Sequence, residues 1–366
     1  MSSTVVTSSR LTSGQAPQWL IPAVGLAAII LGAALSALIG FSIAMWAIFT
    51  GLIFVIVGPV TIGMIEGRRK GSDSFARFLV YGTFLIALVP LVSVLWTVLA
   101  KGIPGLSGHF LGTSMNGVTG VVDNKTASGD QAILGGIYHA IVGTLEITAL
   151  ATLISVPIGL LTAIYLVEYG KGGLLSRAIT FFVDVMTGIP SIVAGLFAAS
   201  FFALVTGSPS TRTGLVAAVA LSVLMIPTVV RNAEEMLRIV PDELREASYA
   251  LGVRKWRTIM KVVIPTAISG IASGVTLAIA RVIGETAPIL VTAGFVNSIN
   301  FNAFSGWMAT LPTYIYYQIM TPTSPTAPEI SETRAWAAAL ILILIVMILN
   351  LIARAIAKAF APKTGR

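Results

Sequence analysis

The stretch Ala335-WAAALILILIVMILNLIARAI-Ala357 carries a single charged residue, Arg354, in 23 residues. An α-helix of about 20 apolar residues crosses the hydrocarbon core of a bilayer, because it rises about 1.5 Å per residue. The apolar residues here are continuous and do not alternate with polar ones, as the strands of a membrane barrel would. The stretch therefore predicts a membrane-spanning helix, and the fold depends on how many such stretches the chain contains.

The composition of the whole chain is also strongly apolar and poor in charged residues. Of its 366 residues 56% are hydrophobic and only 10% are charged, and the mean hydropathy is +0.92. A soluble domain carries about 25% charged residues, so a water-soluble enzyme of this length is excluded. The chain has no cysteine and two histidines, which excludes a disulfide framework and argues against a His-rich metal site. We predict neither catalytic nor metal-binding residues.

Eight candidate spans share the continuous apolar pattern. They are 19–40, 44–65, 75–100, 139–166, 176–205, 213–231, 266–290 and 335–357. We therefore predict an all-α fold, a polytopic membrane helical bundle of about eight transmembrane helices. Residues 1–18 are rich in Ser and Thr and are predicted to form a disordered tail.

The distribution of basic residues predicts the orientation. With the N-terminus inside, 18 of the 23 Lys and Arg residues lie in inside segments, four lie in outside segments, and Arg281 lies within a span. Lys and Arg collect in cytoplasmic loops. Both termini, including the tail 361–366, are therefore predicted to be cytoplasmic.

Two long segments are then predicted outside. Residues 101–138 are rich in Gly, Ser, Thr and Asn, with a flexible centre expected at Asp123–Asp130. Residues 295–334 contain Tyr314, Tyr316 and Tyr317, which suit a membrane interface. This second segment is either a short external helix or a surface loop.

The longest inside loop, 232–264, contains a short helix with clear boundaries. Pro241 suits the first turn of a helix, Asp242 and Glu243 are favourable at its N-terminus, and Gly252 is placed to end it. The spacing predicts a helix over 241–251. The apolar residues of its one face are Val240, Leu244, Ala247 and Leu251. This face either lies on lipid headgroups or docks into a groove of a cytoplasmic partner.

The same loop resembles a known family. Glu246-Ala247-Ser248, three residues, Gly252, nine residues and Val262-Val263-Ile264-Pro265 is similar to the EAA loop of the permeases of ABC importers, with Ser248 in place of the second Ala. The resemblance implies a coupling helix that docks into an ATP-hydrolysing subunit. The residues it assigns to this coupling are Leu244, Glu246, Ala247, Ser248, Leu251 and Gly252.

Hydrolysis of ATP has to be the task of another chain. A phosphate-binding loop needs Gly, four residues and then Gly-Lys-Ser or Gly-Lys-Thr. Here Gly170-Lys171 is followed by Gly172 and lacks the upstream glycine. No cofactor is expected on this chain, and ATP is expected to be used by a partner ATPase.

Charges inside spans are the best indicators of a transport pathway. Arg281 and Glu285 are four residues apart in the span 266–290, so on one helix they share a face and can form an ion pair. They form either a structural ion pair that stabilises the helix bundle or part of a site that attracts an anion. With Thr286, they are the predicted pathway residues. Asp184, near the start of the fifth span, is expected only to orient a helix end.

Two spans contain predicted helix breaks. Gly188 and Pro190 interrupt the fifth span, and Gly284 and Pro288 interrupt the seventh. Broken membrane helices free backbone groups that can line a cavity, although harmless kinks are common.

Longer runs resemble one branch of the ABC importer family. Gly188-IPSIVAGL-Phe197 and Ala280-RVIGETAPI-Leu290 are similar to signatures of the phosphate-specific, PstA-like permeases. The resemblance implies transport of phosphate across the plasma (inner) membrane of a bacterium, with a sister permease of the PstC type, an ABC ATPase subunit and an extracytoplasmic phosphate-binding protein. No nucleic acid is expected as a partner, because the excess of basic residues is explained by the topology. An Arg guanidinium suits a phosphate oxyanion.

The family core has six spans, so the first two are extra. We predict an additional transmembrane hairpin at 19–66 and a permease core at 67–360 that includes the loop 232–264. Alternatives to a phosphate permease are a permease for another oxyanion or a phosphonate, an ion-driven secondary transporter, and a membrane scaffold without transport. A secondary transporter would not need an ATPase-docking loop, and the charged residues Arg281 and Glu285 within a span argue against a scaffold.

Overall fold

The computed structural model describes residues 16–17, 19–170 and 172–360, with side chains up to Ala355. The predicted tails at 1–18 and 361–366 lie outside the described residues, apart from Ala16 and Pro17. In the described ranges every regular element is helical, as predicted.

Fifteen α-helices follow one another in this part of the chain. They are α1 (Leu20–Ile39), α2 (Ile43–Glu66), α3 (Arg68–Gly102), α4 (Gly108–Gly112), α5 (Gly120–Ala127), α6 (Tyr138–Ile164), α7 (Leu174–Thr187), α8 (Ser191–Thr206), α9 (Gly214–Ile239), α10 (Asp242–Ala250), α11 (Lys255–Thr258), α12 (Ile264–Val282), α13 (Ala287–Thr292), α14 (Leu311–Met320) and α15 (Pro328–Phe360). Two π-helical segments, Tyr165–Tyr169 and Ile259–Val263, continue α6 and precede α12.

The predicted membrane bundle is confirmed. Seven of the eight predicted spans overlap helices long and apolar enough to cross a membrane, although the helix of the predicted span 266–290 already ends at Val282. The predicted fifth span is different, because α7 and α8 meet at an angle of 109° across a short break. The predicted sixth span is longer than expected, since α9 continues to Ile239 and takes up the first residues of the predicted loop 232–264.

The described residues form two compact units, one up to Thr97 and one from Val98. The first unit contains α1, α2 and most of α3, and Phe54 and Phe78 pack edge to face in it with ring centroids 4.9 Å apart. The helix α3 therefore groups with the predicted extra hairpin 19–66. That the permease core begins at residue 67 stays a prediction.

The second unit is built around α9. Of the described helices able to span a membrane, α9 is the most enclosed, with 67% of the residues in its apolar stretch buried against 33% or less for the others. Leu221 and Met225 of α9 are fully buried in one cluster with Ile147 of α6 and Val282 of α12. A central helix with apolar residues on all sides is what a buried position requires.

The segment 101–138 is more ordered than its composition predicts. Its expected flexible centre, Asp123–Asp130, begins inside the helix α5, and Asp123 is completely buried. Both oxygens of Asp123 accept hydrogen bonds from the guanidinium of Arg334 in α15, one of them at 2.9 Å, and Arg334 is 1% exposed. Its Nε donates to the carbonyl of Leu134 at 3.0 Å. The prediction of flexibility was wrong at Asp123, because a partner about 200 residues away anchors it.

This buried ion pair gives a stability prediction. Replacing Asp123 with Ala leaves the guanidinium of Arg334 buried without its counter-ion, which costs ~3–5 kcal/mol in comparable pairs. We expect the free energy of unfolding in detergent to fall by that amount, as measured by chemical denaturation. The control is Asp130→Ala, since Asp130 is exposed. If both variants unfolded alike, the pair would not hold this segment.

The segment 295–334 contains the helix α14 rather than only a loop. Thr310 and Thr313 form a reciprocal capping box at the start of α14. Tyr314 was predicted to lie at a membrane interface but is fully buried, and its ring lies 5.6 Å from that of His139. Burial raises the pKa of Tyr314 well above its ordinary value. Tyr316 remains partly exposed.

Candidate functional site

The predicted ion pair between Arg281 and Glu285 is absent from the described residues. The helix α12 ends at Val282, and Glu285 lies beyond a turn, with its backbone N–H donating to the carbonyl of Val282 at 3.1 Å. The spacing of four residues places two side chains on one face only while the helix continues. The early end of α12 therefore separates the two charges.

Arg281 is exposed at the end of α12. Its one hydrogen bond in the described part of the chain is a long contact of 3.4 Å from Nη1 to the hydroxyl of Thr228 in α9. A guanidinium has five N–H donors, so most of its capacity is unused here. An exposed arginine on a membrane-spanning helix with free donors can bind an anion, and the absent Glu285 partner leaves its charge available.

The other predicted pathway residues lie in the break after α12. Gly284 is exposed in the turn, Glu285 is half-buried, and Thr286 is the residue before the first turn of α13. Pro288 is buried in the first turn of α13, a position that needs no N–H donor. The structure therefore contains the break that Gly284 and Pro288 predict.

The second predicted break is sharper. Gly188 ends α7, and Pro190 precedes α8 with an extended backbone, so the chain turns by 109°. The helices that follow the two breaks touch, because a Cβ atom added to Gly195 of α8 would lie 2.7 Å from the Cα of Pro288 in α13. Contact at this distance requires glycine, since no side chain fits. Gly195 therefore lets α8 and α13 pack directly against each other.

A substitution at Gly195 should separate these helices. Gly195→Leu places a side chain where the backbone of Pro288 lies. Overpacking of this kind costs ~1–3 kcal/mol, and we expect a lower melting temperature in detergent. Ser200→Leu is the control, since Ser200 is exposed on the same helix. Equal melting temperatures for the two variants would mean that α8 and α13 adjust without cost.

A chain of charges links α7 to α9. Asp184 forms an ion pair with Arg231, Arg231 donates to Glu234 at 2.9 Å, and Arg238 donates to Glu234 at 2.6 Å. The carboxylate of Glu234 is buried, and it is satisfied from both sides. Asp184 therefore holds the end of α7 against α9, which agrees with the prediction that it orients a helix end.

The helix α10 presents an exposed apolar face. Leu244 and Leu251 are 41% and 83% exposed, and Ala247 and Glu246 are exposed as well. Gly252 has a φ of +74°, which favours glycine and ends the helix. Val240 and Ser248 are buried instead, and the hydroxyl of Ser248 lies 2.8 Å from that of Thr258. The predicted coupling residues thus divide into an exposed face and an anchored underside.

Arg245 fixes α10 to the end of α6. Its guanidinium bonds the carboxylate of Glu168 at 3.0 Å and the carbonyls of Val240 and Leu237 at 2.6 and 2.9 Å. Glu168 belongs to the π-helical segment that continues α6, and its side chain is 5% exposed. Lys255 donates to the carbonyl of Glu168 and lies 4.8 Å above the ring of Tyr169. These contacts tie α10 and the first residue of α11 to the ends of α6 and α9.

The sequence did not reveal Glu168, Arg245 or Gly195 as members of this site. A carboxylate at the end of an apolar span was a weak signal for Glu168, because such residues usually face solvent. Its partner lies 77 positions along the chain, and no local spacing connects the two.

Comparisons with known proteins identify a family and several relatives. The family described as "Binding-protein-dependent transport system inner membrane component" matches residues 155–366. The chain is 46% identical over 297 residues to "Phosphate transport system permease protein PstA 1" of Mycobacterium tuberculosis (strain CDC 1551 / Oshkosh), covering 81% of this chain and 92% of the relative. It is 35% identical over 306 residues to PstA of Yersinia pestis, covering 82% and 96%. Among solved structures, an inward-facing MetNI methionine ABC transporter matches with a TM-score of 0.48 and 20% identity, over 62% of this chain and 95% of that one.

Proposed function

This chain belongs to the family of binding-protein-dependent transport system inner membrane components, and from that premise we propose that it is the permease subunit of an ATP-driven phosphate importer. The observation that carries the proposal is its 46% identity, over four fifths of its length, to a phosphate permease. It is a multi-pass protein of the inner membrane and a transport component, not itself a catalytic enzyme.

Arg281 supports phosphate as the substrate. A phosphate oxyanion forms strong, paired hydrogen bonds with a guanidinium, and Arg281 is exposed with most of its donors free. A single arginine binds weakly, which suits a pathway because tight binding would prevent release. Glu285 and Thr286 lie in the adjacent break and are proposed to line the same route.

The helix α10 is proposed to dock into a separate ABC ATPase. Its exposed apolar face of Leu244, Ala247 and Leu251 fits a hydrophobic groove, the usual way an amphipathic helix is recognised. Movement driven by ATP hydrolysis in that partner would enter through α10 and reach α6 through Arg245 and Glu168. Coupling of this kind makes the ATPase respond to the substrate.

Two further partners complete the proposed importer. A sister permease of similar fold would supply the other half of the pathway, and an extracytoplasmic phosphate-binding protein would deliver the substrate. The excess of basic residues on the side of α10 supports a cytoplasmic location for that helix and for both termini.

Reconstitution tests the proposal. The chain, its sister permease, the ATPase and the binding protein are placed in liposomes, and ATP hydrolysis is measured with phosphate, sulfate, molybdate or a phosphonate outside. We expect stimulation and accumulation with phosphate alone. Stimulation by another anion would favour a different oxyanion permease, and uptake driven by an ion gradient without ATP would favour a secondary transporter.

Leu251→Glu tests the docking of α10 in the same assay. It places a charge on the exposed face of α10 without touching the anchored underside. We expect loss of assembly with the ATPase while the chain still inserts into the membrane.

A further inference from the structure

A shallow groove of about 450 Å³ lies at the turn between α2 and α3, within the first unit. Val60 and Met64 of α2 line one side, and Phe75 of α3 lines the other, with Arg68 at the mouth. The pathway and coupling residues described above lie in other parts of the chain, so the groove has no role in the proposed function.

Glycine residues create the groove. Gly67 has a φ of +94° and allows the tight reversal between the helices. Beyond it, Gly63 and Gly71 face each other so closely that a Cβ atom on Gly71 would lie 2.8 Å from the Cα of Gly63. The helices therefore touch through their backbones, and the larger side chains on either side form walls with an open space between them.

The walls of the groove are apolar and open to the surroundings. Met64 is 80% exposed, and Val60 and Phe75 are about half exposed. Both α2 and α3 are long and apolar enough to cross a membrane. Their shared turn therefore lies near a membrane surface, where the material in contact with these side chains is lipid.

Arg68, which lines the groove, and its chain neighbour Arg69 have no carboxylate partner among the residues that the structure describes. Among the described residues, Lys70 pairs with Glu66 at 2.9 Å and Arg77 pairs with Asp73 at 3.1 Å. Arg68 and Arg69 are exposed and form no ion pair or side-chain hydrogen bond there. Two adjacent free guanidinium groups favour a phosphate-bearing ligand, since each can bond two of its oxygens.

We propose that this groove binds an anionic phospholipid. The headgroup phosphate lies against Arg68 and Arg69, and an acyl chain follows Val60, Met64 and Phe75. The combination of charge and apolar walls selects this occupant, because free phosphate would leave the walls exposed and a neutral lipid would leave the arginines unpaired. Clusters of basic residues next to a membrane helix bind acidic lipids in this way.

Native mass spectrometry of the full chain tests the proposal. The protein is released from detergent with phosphatidylglycerol or phosphatidylcholine of the same acyl chains, and retained lipid is counted. We expect the wild type to retain phosphatidylglycerol preferentially. We expect Arg68→Gln/Arg69→Gln to lower that retention about tenfold or more, since each basic residue near a membrane surface contributes appreciably to acidic lipid binding.

The chain offers a control of equal charge. Lys70→Gln/Arg77→Gln also removes two positive charges, from the first three turns of α3, but at residues that already have partners, and we expect it to retain phosphatidylglycerol. Met64→Gln should weaken retention of the lipid through the apolar wall alone. Equal retention of the two lipids by the wild type, or equal losses in the two double variants, would overturn the proposal.

Competition with inorganic phosphate is the last part of the experiment. If the arginines bind the free anion, adding phosphate in the millimolar range displaces phosphatidylglycerol, and Met64→Gln has no effect. That result would contradict a lipid site and indicate an anion site instead. We expect no displacement, because the acyl chain supplies much of the binding.

Discussion

Arg281→Gln is expected to abolish phosphate uptake while leaving insertion and assembly intact. Arg281 is exposed, with one long hydrogen bond to Thr228, so its replacement removes little from the fold. Its charge-assisted hydrogen bonds to an oxyanion are each worth ~1.5–3 kcal/mol, and their loss should reduce uptake about a hundredfold. The measurement is uptake of labelled phosphate into proteoliposomes containing the complete importer.

Two variants make this result specific. Arg281→Lys keeps the charge but loses the planar fork, and we expect partial uptake. Arg354→Gln removes one exposed arginine from α15 and should leave uptake unchanged. Normal uptake by Arg281→Gln would show that phosphate takes another route.

Arg245→Met is expected to uncouple ATP hydrolysis from transport. The substitution keeps much of the volume but removes the bonds to Glu168, Val240 and Leu237. It also leaves the carboxylate of Glu168 buried without its guanidinium, and breaking a buried pair costs ~3–5 kcal/mol. We expect α10 to lose its fixed position, uptake to fall about tenfold or more, and ATP hydrolysis to stop responding to phosphate.

The uncoupling should result from the lost contacts of Arg245 with Glu168 and the two carbonyls, and not from the loss of a positive charge in the loop 232–264. Arg257→Met removes a charge from the same loop, where Arg257 is exposed and lies over the ring of Trp256 at 5.2 Å, and we expect normal coupling. Glu168→Gln should be milder than Arg245→Met, because Arg245 keeps both carbonyl partners. If ATP hydrolysis by the Arg245→Met importer still responded to phosphate, α10 would transmit motion without the contacts of Arg245.

Several local features followed from sequence because they depend on neighbouring residues. The boundaries of α10 were predicted from Pro241, the acidic residues after it and Gly252, since helix ends are determined within a few residues. The breaks at Gly188 and Pro190 and at Gly284 and Pro288 were also local, because glycine and proline weaken a helix wherever they stand.

Other features could not be predicted because they depend on distant partners. The pairing of Arg281 with Glu285 assumed a continuous helix, and the end of α12 at Val282 separated them. The segment around Asp123 is polar and glycine-rich, and only the approach of Arg334 from α15 orders it. The spacing of these residues along the chain predicts neither the separation of Arg281 from Glu285 nor the ordering of the segment around Asp123.

The sequence by itself determined that this protein is a helical membrane bundle with the short helix α10 between two of its spans, because hydrophobicity and helix caps act over one or two turns. Only the tertiary structure decided which charges are paired and which are free. Arg245 and Arg334 are neutralised by Glu168 and Asp123, whereas Arg281 and Arg68 keep available donors. The physical reason is that a charge is satisfied by whatever lies within about 4 Å in space, and residues far apart in the chain supply those neighbours.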